Sequence, residues 1–400
     1  MLTKNSALSP SLRRRSGLLV LVHGLIVILL LTIYLIAAEY YSPEALIYPA
    51  CVCLVALFFW ELWSWNRIAG ALLNPYILFL VAATLFNGGQ AFLEIFGLNR
   101  GGILNGRFDS QTILNTVVLV TLSLGMLHLG ALIAVTSSRT TARKQLPLTP
   151  ITPQDIRIVG WLMLAVSVVP TILRLRDAIT VVQSSGYSAL YQQAVFTGVG
   201  ASSNILASFF VPALLFLLAG HNNQKEIIAL SAVCILVYST TEVMLGHRGW
   251  GLLPLFAYAW LWHRVVHPLP WTLIVIGILV VFVIIFPLVS AARNTRGEER
   301  WSLSYLSNAF NSIENPVLSS LSEIGGTMQI SAYMLDFVPS QQDYQKGLTY
   351  FYAFTTIFPN FFWDVHPAIA YGLPEPWLTR LADPWLAEQG GGLGFSFIAE

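Results

Sequence analysis

The sequence predicts an all-α, polytopic integral membrane protein, and three observations carry this prediction. The 400-residue chain is 56% hydrophobic and only 10% charged, whereas soluble proteins carry roughly a quarter charged residues. Nine apolar runs are long enough to cross a bilayer. The segment that follows them, 290–400, holds 16 of the 41 charged residues and lacks an uninterrupted apolar run.

Runs of about 17–25 mostly apolar residues mark membrane-spanning helices. The nine candidates are 17–38, 45–65, 72–96, 112–136, 156–173, 203–219, 226–245, 249–264 and 271–290. The first follows a basic stretch, as in a signal peptide, but it exceeds the about 7–15 residues of a cleavable core. We therefore expect an uncleaved span. Polar residues and glycines interrupt the third run after Phe86, so we expect its helix to end there.

The distribution of basic residues predicts the orientation. With the N-terminus in the cytoplasm, 11 Lys and Arg residues lie on the inner side and five in short outer loops, as the positive-inside rule requires. Nine spans then place the long segment at the periplasmic face. The predicted domains are a cytoplasmic N-terminus (1–16), a helix bundle (17–290), a large periplasmic loop (291–393) and the start of a further transmembrane helix (394–400). We expect more spans after Glu400.

Composition also excludes several classes of function. A net charge of +1 gives no indication of a nucleic-acid partner. The three cysteines lie in apolar runs and are best explained as packing residues. A phosphate-binding Walker loop, a Ser-His-Asp order and a cluster of metal ligands are all missing from the sequence pattern, which argues against an ATPase and a zinc protease. We expect no cofactor and no metal.

The first candidate for an anion site is Gly246-His247-Arg248-Gly249, between two runs. Arginine presents a planar fork that suits phosphate oxygens, and glycine lets a ligand approach the backbone. The alternative is a tight turn whose arginine contacts lipid headgroups.

A second candidate follows the ninth run. Arg293, Arg296 and Arg300 could together hold a pyrophosphate. Local ion pairing with Glu298 and Glu299 is the alternative.

A third candidate is the pair Arg174 and Arg176, which follows the fifth run. These arginines could guide an anionic lipid headgroup. The alternative is an interfacial helix end whose arginines snorkel to the headgroups.

The long segment begins with an amphipathic pattern. Its apolar residues recur at helical spacing, which predicts a helix lying on the membrane surface: Val317, Leu321, Ile324, Met328, Leu335 and Val338. Glu323 lies off this stripe and precedes Gly325 and Gly326. Two glycines in a helix indicate close approach of another group, so Glu323 is a candidate general base. A solvated surface glutamate is the alternative.

An aromatic run follows between 344 and 363. An interfacial aromatic belt explains most of it, although sugar rings also stack on aromatic faces. Asp364 and His366 close the run and are weaker candidates for a base.

These motifs, in this order, resemble the Wzy-type O-antigen polysaccharide polymerases. The resemblance is strongest over about 240–400 and rests on Gly246–Gly249, Arg293, Arg296, Glu323–Thr327, Gly347–Tyr350, the Phe358–Asn360 turn, Gly391–Ser396 and Ala399–Glu400.

The resemblance implies a fold similar to the membrane-embedded GT-C glycosyltransferases. It implies polymerisation of repeat units carried on undecaprenyl pyrophosphate, at the periplasmic face of the inner membrane, without a nucleotide sugar. Implied partners are the lipid-linked donor and acceptor glycans, membrane lipid, a chain-length regulator and the flippase of the same pathway.

In such a reaction Arg248, Arg293 and Arg296 would stabilise the leaving pyrophosphate. Glu323 would be the general base, with Glu400 or Asp364 in reserve. The expected substrate-binding residues are Arg174, Arg176, His247, Arg300, Asp364 and Glu400.

Other functions remain open at this stage. An O-antigen ligase or a polymerase of another envelope glycan would share the chemistry. A lipid-linked oligosaccharide flippase is the alternative from another class, although a transporter should bury charges in its spans and these runs are nearly free of them. A structural subunit without activity is the simplest alternative.

Overall fold

A computed structural model describes residues 10–69, 74–99, 101–138, 152–187, 189–192, 199–293, 302–311, 313, 315–358, 365–371 and 374–400. The described residues form helices and irregular segments without a strand, which confirms the all-α class. Eight helices in this part of the chain are long and apolar enough to cross a membrane: Gly17–Tyr40, Pro43–Ala69, Pro75–Ile95, Ser110–Ser137, Pro153–Ser185, Ser203–Gly220, Lys225–Leu245 and Trp271–Ser290. They coincide with eight of the nine predicted runs.

The helices in chain order are α1 (Pro10–Tyr40), α2 (Pro43–Ala69), α3 (Pro75–Ile95), α4 (Ser110–Ser138), α5 (Pro153–Ser185), α6 (Ala189–Gln192), α7 (Val199–Ser208), α8 (Phe210–Gly220), α9 (Lys225–Leu245), α10 (Arg248–Val265), α11 (Trp271–Val280), α12 (Phe286–Arg293), α13 (Leu303–Asn311), α14 (Pro316–Gly325), α15 (Gln329–Phe337), α16 (Leu348–Thr355), α17 (Pro367–Tyr371), α18 (Pro374–Ala382) and α19 (Pro384–Glu388). A π-helical turn, Val281–Ile285, joins α11 to α12.

The chain forms two compact units. Unit 1 comprises Met1–Gln145, Leu321–Ala387 and Gly392–Glu400, and unit 2 comprises Leu146–Ser320 and Glu388–Gly391. The domain boundaries expected at 16, 290 and 393 stay predictions.

Unit 1 is built on α4, against which α1, α2, α3 and α15 pack. Its core includes Leu54 and Val117, and Met328 and Ile398 bring the long segment into the same core. Asn74 caps α3 by accepting a hydrogen bond from the Ile77 amide. The expected end of this helix near Phe86 is wrong, because α3 continues to Ile95.

Unit 2 is built on α5, α8, α9 and α10. Helix α5 begins with a capping box in which Thr152 and Asp155 satisfy each other's backbone amides. It packs closely along α8, because a Cβ on Gly160 would lie 3.1 Å from Leu217 Cδ2. The predicted run ended at 173, but the helix continues to Ser185.

Helix α10 matches the eighth predicted run, 249–264, although it is not among the eight candidate spans. It runs antiparallel to α9 over the whole length of that helix. Near the middle, Tyr258 Oη lies 2.8 Å from Ser231 Oγ. At the far end, Asn222 Nδ2 donates to the Val265 carbonyl over 3.4 Å. Helix α10 is about 27 Å long at 1.5 Å per residue.

The predicted amphipathic helix over 317–338 forms as α14 and α15, separated by a 3₁₀ turn at Gly326–Met328. Residues 391–400 have no helix or strand. A further transmembrane helix beginning at 394 stays a prediction.

Candidate functional site

The turn between α9 and α10 carries the Gly246–Gly249 stretch of the first predicted anion site. Gly246 ends α9 with a φ of 102°, a left-handed conformation that favours glycine. The His247 amide donates to the Glu242 carbonyl over 2.9 Å, and Arg248 begins α10. A Cβ on Gly249 would meet nothing within 4 Å, so the space beside this glycine is open.

Glu242 lies in the last turn of α9, and its side chain is fully buried. Its Oε1 accepts a hydrogen bond from Arg174 Nη2. Its Oε2 lies 2.8 Å from His247 Nδ1. The side chains of Arg174 and His247 are 27% and 13% exposed, so both reach the surface of unit 2 from a buried anchor. We call these three residues the Arg–Glu–His cluster.

Arg174 does not end a helix, so the alternative of an interfacial helix end is wrong. It lies within α5, and its Nη2 also donates to Tyr238 Oη over 3.3 Å. The Arg174 guanidinium carbon is 5.9 Å from the centroid of the Tyr238 ring. Arg176, two positions later, is exposed. The structure therefore assigns different environments to the two predicted arginines.

Arg248 contacts the helix that carries Arg293. Its guanidinium carbon lies 5.3 Å from the centroid of the Phe286 ring, in the first turn of α12. Arg293 is the last residue of α12, about 10 Å further along at 1.5 Å per residue. Arg296, Arg300 and Asp364 lie outside the described residues.

The site in unit 2 thus combines two arginines, a histidine and one buried carboxylate. A carboxylate without water needs charged or hydrogen-bonding partners, and Arg174 and His247 supply them. In return Glu242 fixes the position of both side chains. A guanidinium held in this way is already ordered, so binding an anion costs it little further conformational entropy.

Unit 1 brings together other predicted motifs on α3. A Cβ on Gly325 would lie 2.7 Å from the Gln90 amide nitrogen, and one on Gly89 would lie 2.7 Å from Gly325 Cα. The backbones of α3 and α14 therefore touch. The close approach predicted for Gly325 is an approach of helix α3, whereas a Cβ on Gly326 would meet nothing within 4 Å.

Hydrogen bonds reinforce this contact on both sides of Glu323. Gln90 Nε2 donates to the Ser322 carbonyl over 3.2 Å, and Thr327 Oγ1 donates to the Phe86 carbonyl. Glu323 itself is half-buried. The helix that carries the candidate base is thus fixed to a membrane-spanning helix.

The last predicted motif also reaches α3. Ser396 Oγ donates to Asn87 Oδ1, and Asn87 is buried. Glu400 lies beside Tyr350, where desolvation and the Glu400 carboxylate both raise the pKa of the Tyr350 hydroxyl. The stretches 323–327, 347–350 and 396–400, which are separate in sequence, are therefore all parts of unit 1.

Glu242 is the residue that the sequence reasoning missed. It lies inside the apolar run 226–245, one of those described above as nearly free of charge. A lone carboxylate in a membrane-spanning segment is expensive and often functional, and its place five residues before His247 was a usable signal.

The fold and these sites define a multi-pass, all-helical membrane protein with its candidate chemistry at helix ends and in a long segment after the spans. The sequence matches the family of the O-antigen polysaccharide polymerase Wzy over residues 20–400. The chain therefore belongs to this family, which supports an O-antigen polymerase of the glycosyltransferase type with lipid-linked oligosaccharide substrates. No curated protein and no solved structure matches the chain.

Proposed function

We propose that this polymerase transfers a growing glycan from undecaprenyl pyrophosphate to a new lipid-linked repeat unit at the periplasmic face of the inner membrane. An acceptor hydroxyl attacks the anomeric carbon, the bond from that carbon to the pyrophosphate oxygen breaks, and the hydroxyl proton passes to a base. The observation that carries the proposal is the buried Glu242, which binds Arg174 and also His247, the residue before Arg248.

The departing pyrophosphate develops negative charge, which preorganised cations stabilise most effectively where water is excluded. Both hydrogen bonds described for Arg174 come from Nη2. Its other guanidinium nitrogens can therefore donate to phosphate oxygens. Arg248 supplies a second guanidinium, so the proposed reaction needs no metal.

Glu242 acts in this proposal as a positioning residue and does not contact the substrate. It balances the charge of Arg174 and orients the His247 ring. Arg293 is proposed as a further phosphate-binding residue because its helix contacts Arg248. Arg176, Arg296 and Arg300 are proposed only on the sequence pattern.

The proposed base is Glu323, with Glu400 and Asp364 in reserve. Support for Glu323 comes from its half-buried position on α14 and from the contact of that helix with α3. A base must be held within hydrogen-bonding reach of the hydroxyl that it deprotonates, and a fixed helix serves this purpose. The role of Glu323 is tested separately from that of the arginines.

The side of the membrane on which we propose the site to lie is inferred from helix lengths. Arg174 lies 21 residues after Pro153, or about 32 Å along α5, close to the ~30 Å hydrocarbon thickness of a bilayer. Since α10 follows α9 over its whole length, we count α10 as a ninth crossing. With the N-terminus in the cytoplasm, nine crossings support a periplasmic position for the Arg–Glu–His cluster and the end of α12. A chain-length regulator and a flippase stay proposed partners.

The test uses Arg248→Ala, Arg293→Ala and Glu323→Ala separately in a host that lacks its own polymerase. We expect each variant to accumulate at normal levels and to leave lipid A-core with a single repeat unit. Arg264→Ala is the matched control, because Arg264 is exposed in the last turn of α10 and has no proposed role, and it should retain the ladder. Full ladders in all three variants would contradict the proposal, and free core with accumulating lipid-linked polymer would indicate a ligase instead.

A further inference from the structure

A second polar network lies within unit 1 and has no part in the function proposed above. Its centre is His128 on α4, which is fully buried. His128 Nε2 lies 2.8 Å from Ser64 Oγ on α2, and His128 Nδ1 lies 2.7 Å from Tyr76 Oη on α3. Because each ring nitrogen has a hydroxyl neighbour, His128 can accept a proton on one side and release one on the other.

Glu61 lies one helical turn before Ser64, on the same face of α2, and is 1% exposed. Neither of its carboxyl oxygens has a hydrogen-bond partner among the described residues. The carboxyl group lies within electrostatic range of the Tyr76 hydroxyl. Ser64 Oγ also donates to the Glu61 carbonyl over 3.0 Å. The carboxyl group is therefore buried one helical turn before Ser64, the first member of the hydroxyl–imidazole chain.

Among the described residues, neither His23 nor Arg67 supplies a positive charge to Glu61. His23 on α1 accepts a hydrogen bond from Trp60 Nε1 at Nδ1 over 3.1 Å, so its proton is on Nε2, which donates to the Gly125 carbonyl over 2.8 Å. This arrangement requires a neutral imidazole. Arg67, on α2, is exposed and lies over the Trp63 ring.

An ionised carboxylate in a membrane-spanning helix without donors is strongly disfavoured. Among the described residues, no group of three or more metal-ligating side chains is close enough to hold a metal ion. We propose that Glu61 is a proton-binding site, and that rotation of its side chain towards Ser64 Oγ connects it to His128 and Tyr76, the route by which its proton exchanges with water. Tyr76 is the second residue of α3 and only partly buried. It therefore connects the hydroxyl–imidazole chain to water at that end of the helix. This proposal is independent of the polymerase reaction.

The test is modification of the full-length protein, in lipid nanodiscs, by the apolar reagent dicyclohexylcarbodiimide. A protonated carboxyl adds its oxygen to the carbodiimide carbon and its proton to a nitrogen, and the acyl group then moves to nitrogen to give a stable acylurea. Peptide mass spectrometry locates the adduct. We expect modification at Glu61 near neutral pH, with a rate that falls about tenfold per pH unit once the site titrates.

Glu44 is the matched control, because it lies in the first turn of the same helix and is exposed. It should remain unmodified, and Glu44→Gln should leave the result at Glu61 unchanged. Glu61→Gln keeps the side-chain volume and should abolish the adduct. The proposal is overturned if Glu61 is not modified, if its rate is the same at every pH, or if sodium or potassium suppresses the reaction at constant pH.

The exchange route has its own test. Infrared spectra in deuterated water report the carboxylic acid band of Glu61, identified by its loss in Glu61→Gln. Tyr76→Phe keeps the ring and removes the hydroxyl, so it should slow the deuterium shift of this band several-fold. An unchanged exchange rate in Tyr76→Phe would exclude this route.

Discussion

Units 1 and 2 fix their candidate functional residues by different physical means. In unit 2 a buried carboxylate holds an arginine and a histidine, so the site depends on the balance of charge around Glu242. In unit 1 two glycines let α3 and α14 touch, so the position of Glu323 depends on the absence of side chains. Removing a charge should therefore be the way to disrupt unit 2, and adding a methyl group the way to disrupt unit 1.

The largest effect is expected from Glu242→Leu. The Arg174 guanidinium loses its counter-charge, and breaking a buried pair in this way costs about 3–5 kcal/mol. We place the loss at the lower end because Arg174 is 27% exposed. Polymer ladders should disappear, and the thermal unfolding temperature of the purified protein should fall.

The double variant Arg174→Leu/Glu242→Leu separates stability from activity. Removing both charges should restore most of the unfolding temperature but none of the activity. Glu226→Gln is the control, because Glu226 is exposed in the first turn of the same helix. Activity in the double variant would mean that the Arg–Glu–His cluster is only structural.

The next effect is expected from Gly325→Ala in unit 1. Its Cβ would lie 2.7 Å from a backbone atom of α3, which cannot move aside as a flexible side chain can. Overpacking of this kind costs about 1–3 kcal/mol. Gly326→Ala, whose Cβ has open space, is the matched control. Equal unfolding temperatures for the two variants would contradict the helix contact.

A smaller effect is expected where Ser396 meets Asn87. A double-mutant cycle of Asn87→Ala and Ser396→Ala should give a coupling of about 0.5–3 kcal/mol, the usual value for residues in contact. Ser340→Ala has no described contact with Asn87 and should combine with Asn87→Ala additively, within about 0.5 kcal/mol. Additivity in both cycles would show that Ser396 does not interact with Asn87.

The smallest effect is expected from metal removal. If guanidinium groups alone stabilise the leaving pyrophosphate, dialysis against EDTA should leave the rate of polymerisation by purified protein unchanged. A loss of activity that magnesium or zinc restores would show that a metal shares this role.

Most of the fold could be predicted from hydrophobic runs, because the bilayer fixes both the length and the polarity of a spanning helix. The errors lie where tertiary packing outweighs local sequence. Asn87 and Gln90 suggested the end of a helix, but burial against the long segment keeps α3 helical as far as Ile95. Helix α5 likewise continues beyond its apolar run to Ser185.

The site was harder to predict than the fold. Arginines and glycines next to spans attracted attention by residue type, and Arg174, His247 and Arg248 do lie close to Glu242 or its turn. Glu242 itself was not predicted, because hydropathy averaged over a window of apolar residues conceals a single carboxylate. Which arginine it would hold depends on the packing of α5 against α9, and no local pattern carries that information.

The central claim is that the Arg–Glu–His cluster holds the lipid pyrophosphate. Binding of undecaprenyl pyrophosphate to purified protein, measured by native mass spectrometry against undecaprenyl monophosphate, tests this claim most directly. We predict that wild-type protein and Arg264→Ala prefer the pyrophosphate equally, and that Arg174→Ala binds it at least about tenfold more weakly, which corresponds to 1.4 kcal/mol. Equal affinity of Arg174→Ala and wild-type protein would contradict the claim.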